Sequence, residues 1–70
     1  QIHKDLNKLI DQLPDDQKEV VKLRYFEDMS FKKISDLTGV SINTSLGRMR
    51  YALINIRRLS KKYNIDLQLF

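Results

Sequence analysis

The stretch that decides the fold is SFKKISDLTGVSINT, residues 30–44. Ser30 is a good N-cap for a helix of about two turns, and Gly39 stands where such a helix would end in the left-handed conformation. Ser41 can cap another helix after only a sharp turn. A short capped helix, a glycine turn and a second capped helix together predict a helix-turn-helix.

The helix that starts after Ser41 is predicted to be long, reaching about Lys61. Its apolar stripe recurs at intervals of four, three, four and three, in Ile42, Leu46, Met49, Leu53 and Ile56. Its opening turns carry polar or small residues as well, namely Asn43, Thr44, Gly47, Arg48, Arg50 and Tyr51. Because a recognition helix inserts its N-terminal turns into the major groove, these residues are candidate DNA contacts. Lys32 and Lys33, on the preceding helix, are candidate phosphate contacts.

Two further helices are predicted upstream. Residues 2–12 read as an amphipathic helix with Ile2, Leu6, Leu9, Ile10 and Leu13 on one face. Pro14 ends this helix, and a second helix then runs to about Phe26, with Asp15 and Asp16 in its first turn favoured by the helix dipole. The aromatic residues around the next junction, Tyr25, Phe26 and Phe31, are expected in the core.

The sequence therefore predicts one all-α domain over residues 1–70, a compact four-helix unit that contains the helix-turn-helix. The tail alternates apolar and polar residues from Tyr63 onward but has no partner strand, so residues 63–70 are expected to be extended or frayed. The chain begins at Gln1, which suggests a fragment of a longer chain.

Charge is distributed unevenly along the chain. Residues 1–36 hold seven basic and eight acidic side chains, whereas residues 37–65 hold six Lys or Arg and no acidic residue. The formal charge of +4 is therefore a property of the C-terminal half. Clustered cations bind a phosphate backbone favourably because they release its condensed counterions, so nucleic acid is the leading candidate partner.

The residues give little support to catalysis. The chain has no cysteine and one histidine, His3, and it has no phosphate-cradling glycine loop. Asp15 and Asp16 are adjacent on a helix, so their carboxylates diverge and cannot act as an acid/base pair. We expect no enzymatic activity, no cofactor and no metal. No apolar run is long enough to span a membrane, and a cytoplasmic location is expected.

Four runs in fixed order, residues 13–21, 23–34, 39–44 and 48–53, closely resemble region 4 of bacterial RNA polymerase sigma factors, most of all the extracytoplasmic-function group. The resemblance covers about residues 10–60. It implies that the last helix binds the minus-35 promoter element in transcription initiation, as part of the RNA polymerase holoenzyme. It also implies contact with the flap of the core polymerase beta subunit and occlusion by an anti-sigma protein. The isolated domain is expected to be a monomer.

By position in the family, Leu46, Gly47, Arg50 and Tyr51 correspond to residues that face bases. Phosphate-side positions correspond to Asn43, Thr44, Arg48 and Lys32 or Lys33. The sequence departs from the family pattern at Leu46, usually Lys or Arg, at Ser45, usually Val, and at Asp28, often Gly. Leu46 implies either an apolar contact in the groove, for example to a thymine methyl, or a slight rotation of the helix.

Two alternatives remain open from the sequence. One is the helix-turn-helix output domain of a transcriptional regulator, which would need a dimer surface and a two-fold symmetric DNA site. The other is a protein-interaction domain that has lost DNA binding, for which Leu46 is the best support.

Overall fold

The computed structural model describes residues 2–65, and the side chains of residues 5–65. These residues form four helices: α1 (Ile2–Asp11), α2 (Asp15–Val21), α3 (Phe31–Thr38) and α4 (Ile42–Lys62). A π-helical turn, Lys22–Phe26, extends α2. No strand occurs within residues 2–65. The predicted all-α fold with a helix-turn-helix is confirmed.

All four helices contribute to one hydrophobic core. Leu9 and Ile10 of α1 are completely buried, as the amphipathic pattern predicts. The apolar residues buried in this core are Leu6, Leu9, Ile10, Leu13, Val20, Val21, Ile34, Ala52 and Ile56. Removing so much apolar surface from water is the main stabilising contribution to a domain of this size.

Helix α4 is the element against which the others pack. It contacts α1, α2 and α3, and its 21 residues give it a length of about 30 Å, close to the 35 Å long axis of the molecule. Its buried face carries Ser45, Ala52 and Ile56. This face differs from the predicted stripe, because Ile42 and Leu46 are 44% and 43% exposed. The two small residues let the neighbouring helices approach closely and turn the larger side chains outward.

The link between α2 and α3 is wider than an α-helical turn. The Glu27 amide donates to the Lys22 carbonyl, five residues back, at 3.2 Å, and Asp28 then takes a left-handed φ of 55°. Glycine adopts this conformation without steric cost, so Asp28 occupies a position that favours glycine. The Arg24 guanidinium stabilises the loop between α2 and α3 by donating a hydrogen bond to the Met29 carbonyl at 2.9 Å.

The expectation that all three aromatic residues near this junction lie in the core is wrong for two of them. Tyr25 and Phe26 are each 42% exposed and meet edge to face with ring centroids 5.2 Å apart. Phe31 packs against the core, with the Arg24 guanidinium 5.1 Å from its ring centre. The π-helical turn redirects the side chains at its end, which leaves Tyr25 and Phe26 outside the core.

The turn between α3 and α4 follows the prediction. Gly39 has a φ of 73°, and the amides of Gly39 and Val40 both donate to the Ser35 carbonyl, at 2.9 and 3.2 Å. Only residues 39–41 separate the two helices. The small residues Ser35 of α3 and Ser45 of α4 are both buried, and the Ser35 hydroxyl also donates to the Val40 carbonyl.

The first residues of the predicted extended tail form a helix cap instead. Asn64 has a left-handed φ of 55°, and the amides of Asn64 and Ile65 donate to the carbonyls of Lys61 and Ser60. This is the Schellman arrangement, and it turns Ile65 back against the core. Residues 66–70 of the predicted tail lie outside the described residues.

Candidate nucleic-acid interface

The outward face of α4 lies opposite Ser45, Ala52 and Ile56. Successive residues are about 100° apart around a helix, so Asn43, Gly47 and Arg50 project away from the core. Tyr51, at 61% exposed, lies on the same side. The structure therefore brings together on one surface four of the residues predicted to contact DNA.

The N-terminus of α4 is capped and rigid. The Thr44 amide donates to the Ser41 hydroxyl oxygen at 3.0 Å, and that hydroxyl donates in turn to the Thr44 hydroxyl oxygen at 3.0 Å. Thr44, predicted to lie near phosphate, thus also completes the cap. The partial positive charge at the start of a long helix favours an approaching phosphate.

The first turn of α3 supplies two exposed lysines. The Lys32 Nζ atom lies 3.5 Å from an Asp36 carboxylate oxygen, one turn further along the same helix. Lys33 makes no ion pair with any residue in the range 5–65. Both side chains are exposed, and pairs such as Lys32–Asp36 are weak in water, so both lysines remain able to contact a phosphate.

The two arginines of the opening turns point in different directions. Arg48 lies about 60° from Ser45 around the helix and Arg50 about 140°. Arg48 is consequently turned toward α2, where its Nε atom lies 3.7 Å from an Asp16 carboxylate oxygen and its side chain is 27% exposed. Arg50 is exposed and has no carboxylate partner among the described residues. Arg48 departs from the predicted outward set, whereas Arg50 fits it.

Leu46 and Gly47 give the second turn of α4 an uncharged surface. A Cβ added at Gly47 would meet no heavy atom within 4 Å, so packing within the chain does not require glycine there. Leu46 lies at the edge of a groove of 340 Å³ between α3 and α4. The groove is lined by Phe31, Leu46, Met49, Arg50, Leu53, Ile54 and Arg57.

Two exposed side chains on α4 were missed as surface features by the sequence pattern. Ile42 and Ile54 are 44% and 49% exposed, although Ile42 belongs to the predicted apolar stripe. The exposure of Ile42 and Ile54 could be predicted only if Ser45 and Ala52 were assigned to the buried face of α4. A side-chain hydrogen bond helps to hold α4 in this rotation against α2, since the Asn55 amide of α4 donates to the Gln17 side-chain oxygen of α2 at 2.7 Å.

The described residues offer no arrangement for metal chemistry. No group of three His, Cys, Asp or Glu side chains within them could hold a metal ion. Within the same range, no helix combines the length and apolarity needed to cross a membrane.

Comparison with known proteins agrees with the geometry. Residues 3–51 match the family described as Sigma-70, region 4. The chain belongs to this family. It is also 39% identical over 49 residues to the RNA polymerase sigma factor SigV of Bacillus subtilis (strain 168). That match covers 70% of the chain and 30% of the relative, so the chain corresponds to under a third of the length of that sigma factor. No solved structure matches.

Membership in the sigma-70 region 4 family confirms the predicted resemblance. It identifies the helix-turn-helix of α3 and α4 as part of a DNA-binding region of transcription initiation proteins, which is not a family of enzymes. The matched residues include the whole opening of α4 up to Tyr51. The exposed face described above therefore lies inside the region that defines the family.

Proposed function

We propose that this chain is the promoter-recognition region of a sigma factor and that it binds the minus-35 element through the opening turns of α4. One observation carries the proposal. Within the family-matched region, the outward face of α4 presents Asn43, Gly47, Arg50 and Tyr51 next to a capped helix N-terminus, with no acidic residue between positions 37 and 65. Such a face can enter the major groove of a polyanionic duplex.

One part of the surface positions the domain on the duplex, and another part reads the base sequence. Lys32, Lys33 and the start of α4 contact phosphates, which fix the register without reading sequence. Leu46, Gly47, Arg50 and Tyr51 face the base edges. Arg48 contributes mainly by its pairing with Asp16, which helps to orient α4 against α2.

The domain acts within the RNA polymerase holoenzyme. Sequence-independent binding by a single module is weak, with dissociation constants of about 10⁻⁴–10⁻⁶ M at physiological salt. Tethering to polymerase raises the effective concentration of promoter DNA enough for such a module to select a site. The exposed pair Tyr25 and Phe26 is suited to the beta flap, because aromatic side chains are enriched at protein interfaces. An anti-sigma protein that covers the opening turns of α4 would block DNA binding, and the free domain is a monomer.

Binding selection with the 70-residue chain and a pool of randomised duplexes tests this function. We expect one sequence to be enriched and its affinity, measured by fluorescence anisotropy, to fall steeply with salt. The double variant Arg50→Ala/Tyr51→Ala should lose the preference while its circular dichroism spectrum remains helical. Failure to enrich any sequence, or equal binding by the folded double variant, would contradict the proposal and favour a domain that has lost DNA binding.

The polymerase partner needs a second measurement. Tyr25→Ser/Phe26→Ser should weaken binding of the chain to the isolated beta flap and leave the affinity for the selected duplex unchanged, because these residues lie outside the DNA face. If flap binding is unaffected, this surface is not the polymerase contact.

A further inference from the structure

An apolar stripe runs along the exposed side of α4. Ile42, Leu46 and Ile54 are between 43% and 49% exposed and fall at spacings of four and eight residues, with Arg50 between the last two. Residues four apart are neighbours on a helix surface, so Ile42 and Leu46 form one line, and Ile54 lies about two turns beyond Leu46, past Arg50. Burying half-exposed aliphatic side chains against another surface is favourable, so a partner is expected to cover this line.

The surroundings of the stripe indicate a nucleic-acid partner. Asn43 and Gly47, beside Leu46, are uncharged, and the Gly47 backbone is open to close approach. Arg50 lies one turn further along α4 from Leu46, and Lys33 on the neighbouring helix α3 is exposed. Since residues 37–65 contain no acidic side chain, the whole face is complementary to a polyanion.

Leu46 is an apolar side chain on this face, and its chemistry restricts the bases that it can contact favourably. All four bases present hydrogen-bond donors or acceptors in the major groove, thymine through its O4 atom, and burying one of these under leucine leaves it unpaired at a cost. Thymine alone presents a methyl group there. The contact at Leu46 is therefore more favourable with the methyl group of thymine than with the polar edges of the other bases.

We propose that Leu46, supported by Ile42 one turn earlier, is a specificity-determining residue that reads the methyl group of a thymine in the recognised element. The inference rests on the proposed function and adds the chemical feature of the DNA that is read. Gly47 lets the base pair come close enough for the contact, while Arg50 faces a neighbouring base edge and Lys33 contacts a phosphate.

The test removes single methyl groups from the DNA, so the fold of the protein is untouched. Each thymine of the enriched duplex is replaced in turn by deoxyuridine, and dissociation constants are measured for the wild-type chain and for Leu46→Ala. One replacement should weaken wild-type binding about fourfold, the change that corresponds to ~0.8 kcal/mol for one buried methyl group. Leu46→Ala should bind the two duplexes equally. Introducing 5-methylcytosine in place of cytosine at other positions serves as the control, because those methyl groups should not affect binding.

The outcomes separate this inference from the function on which it rests. Enrichment of a sequence whose thymines can all be replaced without loss overturns the methyl contact but leaves promoter recognition intact. A methyl effect that persists unchanged in Leu46→Ala, with its helical spectrum intact, assigns the contact to another residue and also overturns the inference. If no sequence is enriched, both proposals fail together.

Discussion

The two halves of α4 differ in the side chains that they bury. In residues 42–51 the large apolar side chains Ile42 and Leu46 lie outside, and the buried position is taken by Ser45. In residues 52–62, Ala52 and Ile56 are buried at the junction with the other helices. The proposed function assigns recognition mainly to the first half, of which Met49 also packs against the core, and packing mainly to the second half. Substitutions in the two halves should separate stability from DNA binding.

The largest effect is expected from the packing half. Ile56→Ala removes a side chain that is 2% exposed and should lower the free energy of unfolding by about 2–5 kcal/mol, which approaches the whole stability of a domain this small. The matched control is Ile54→Ala, the same change two residues earlier at a position that is 49% exposed. Thermal melts followed by circular dichroism should show a large loss for the first variant and a shift of under about 0.5 kcal/mol for the second. Equal losses of unfolding free energy for the two variants would contradict the assignment of packing to the Ile56 position and not to the Ile54 position.

The next effect concerns binding and compares two arginines of the recognition half. Arg50→Ala should reduce affinity for the enriched duplex by about 1–3 kcal/mol, because its side chain faces outward without a carboxylate partner among the described residues. Arg48→Ala removes the same charge from the same helix but breaks a contact with Asp16, so its loss of affinity should be smaller. Anisotropy titrations at one salt concentration decide this. A larger loss of affinity for Arg48→Ala than for Arg50→Ala would contradict the assigned directions of these two side chains. The variant Lys8→Ala on α1 is the control for the change in net charge.

A third substitution should move stability and binding in opposite directions. Gly47→Ala should raise the free energy of unfolding by about 1 kcal/mol, since alanine favours a helix and a Cβ there meets no heavy atom within 4 Å. The added methyl group should weaken DNA binding by preventing close approach. Urea denaturation and anisotropy measure the two quantities on the same sample. A more stable variant that binds the duplex as well as the wild type would remove the functional explanation for this glycine.

The smallest effect is expected at the contact between α3 and α4. The Ser45 hydroxyl is buried and has no hydrogen-bond partner among the described residues, so Ser45→Ala should raise stability by about 1 kcal/mol or less and leave DNA affinity unchanged. Ser60→Ala is the control, because the Ser60 hydroxyl donates to the Arg57 carbonyl at 2.7 Å and its loss brings no comparable gain. Denaturation in urea measures both variants. Destabilisation by Ser45→Ala would show that this hydroxyl does have a partner in solution.

Local signals in the sequence were sufficient for most of the fold. Ser30 and Ser41 are caps whose side chains bond to amides three residues later, and Gly39 adopts the left-handed conformation. Each of these features depends on a few neighbouring residues. The apolar face of α1 was predictable for a similar reason, since Leu6, Leu9 and other large residues there all point the same way.

The parts that were not predicted depend on contacts between distant residues. Hydrophobic periodicity assigned Ile42 and Leu46 to the stripe of α4, because small residues such as Ser45 carry little weight in such a pattern. The direction of Arg48 follows from that rotation and from the position of Asp16 on another helix. The π-helical turn before Asp28 has no distinct sequence signature, so the exposure of Tyr25 was not foreseen.

The central claim is that the opening turns of α4 and the first turn of α3 contact the duplex. The most direct measurement maps amide chemical shifts of the isotope-labelled chain as the enriched duplex is added. The largest changes should fall in residues 41–51 and 31–33, with small changes in α1 and in residues 52–62. Largest changes in α1 or around Tyr25, with residues 41–51 unaffected, would contradict the account.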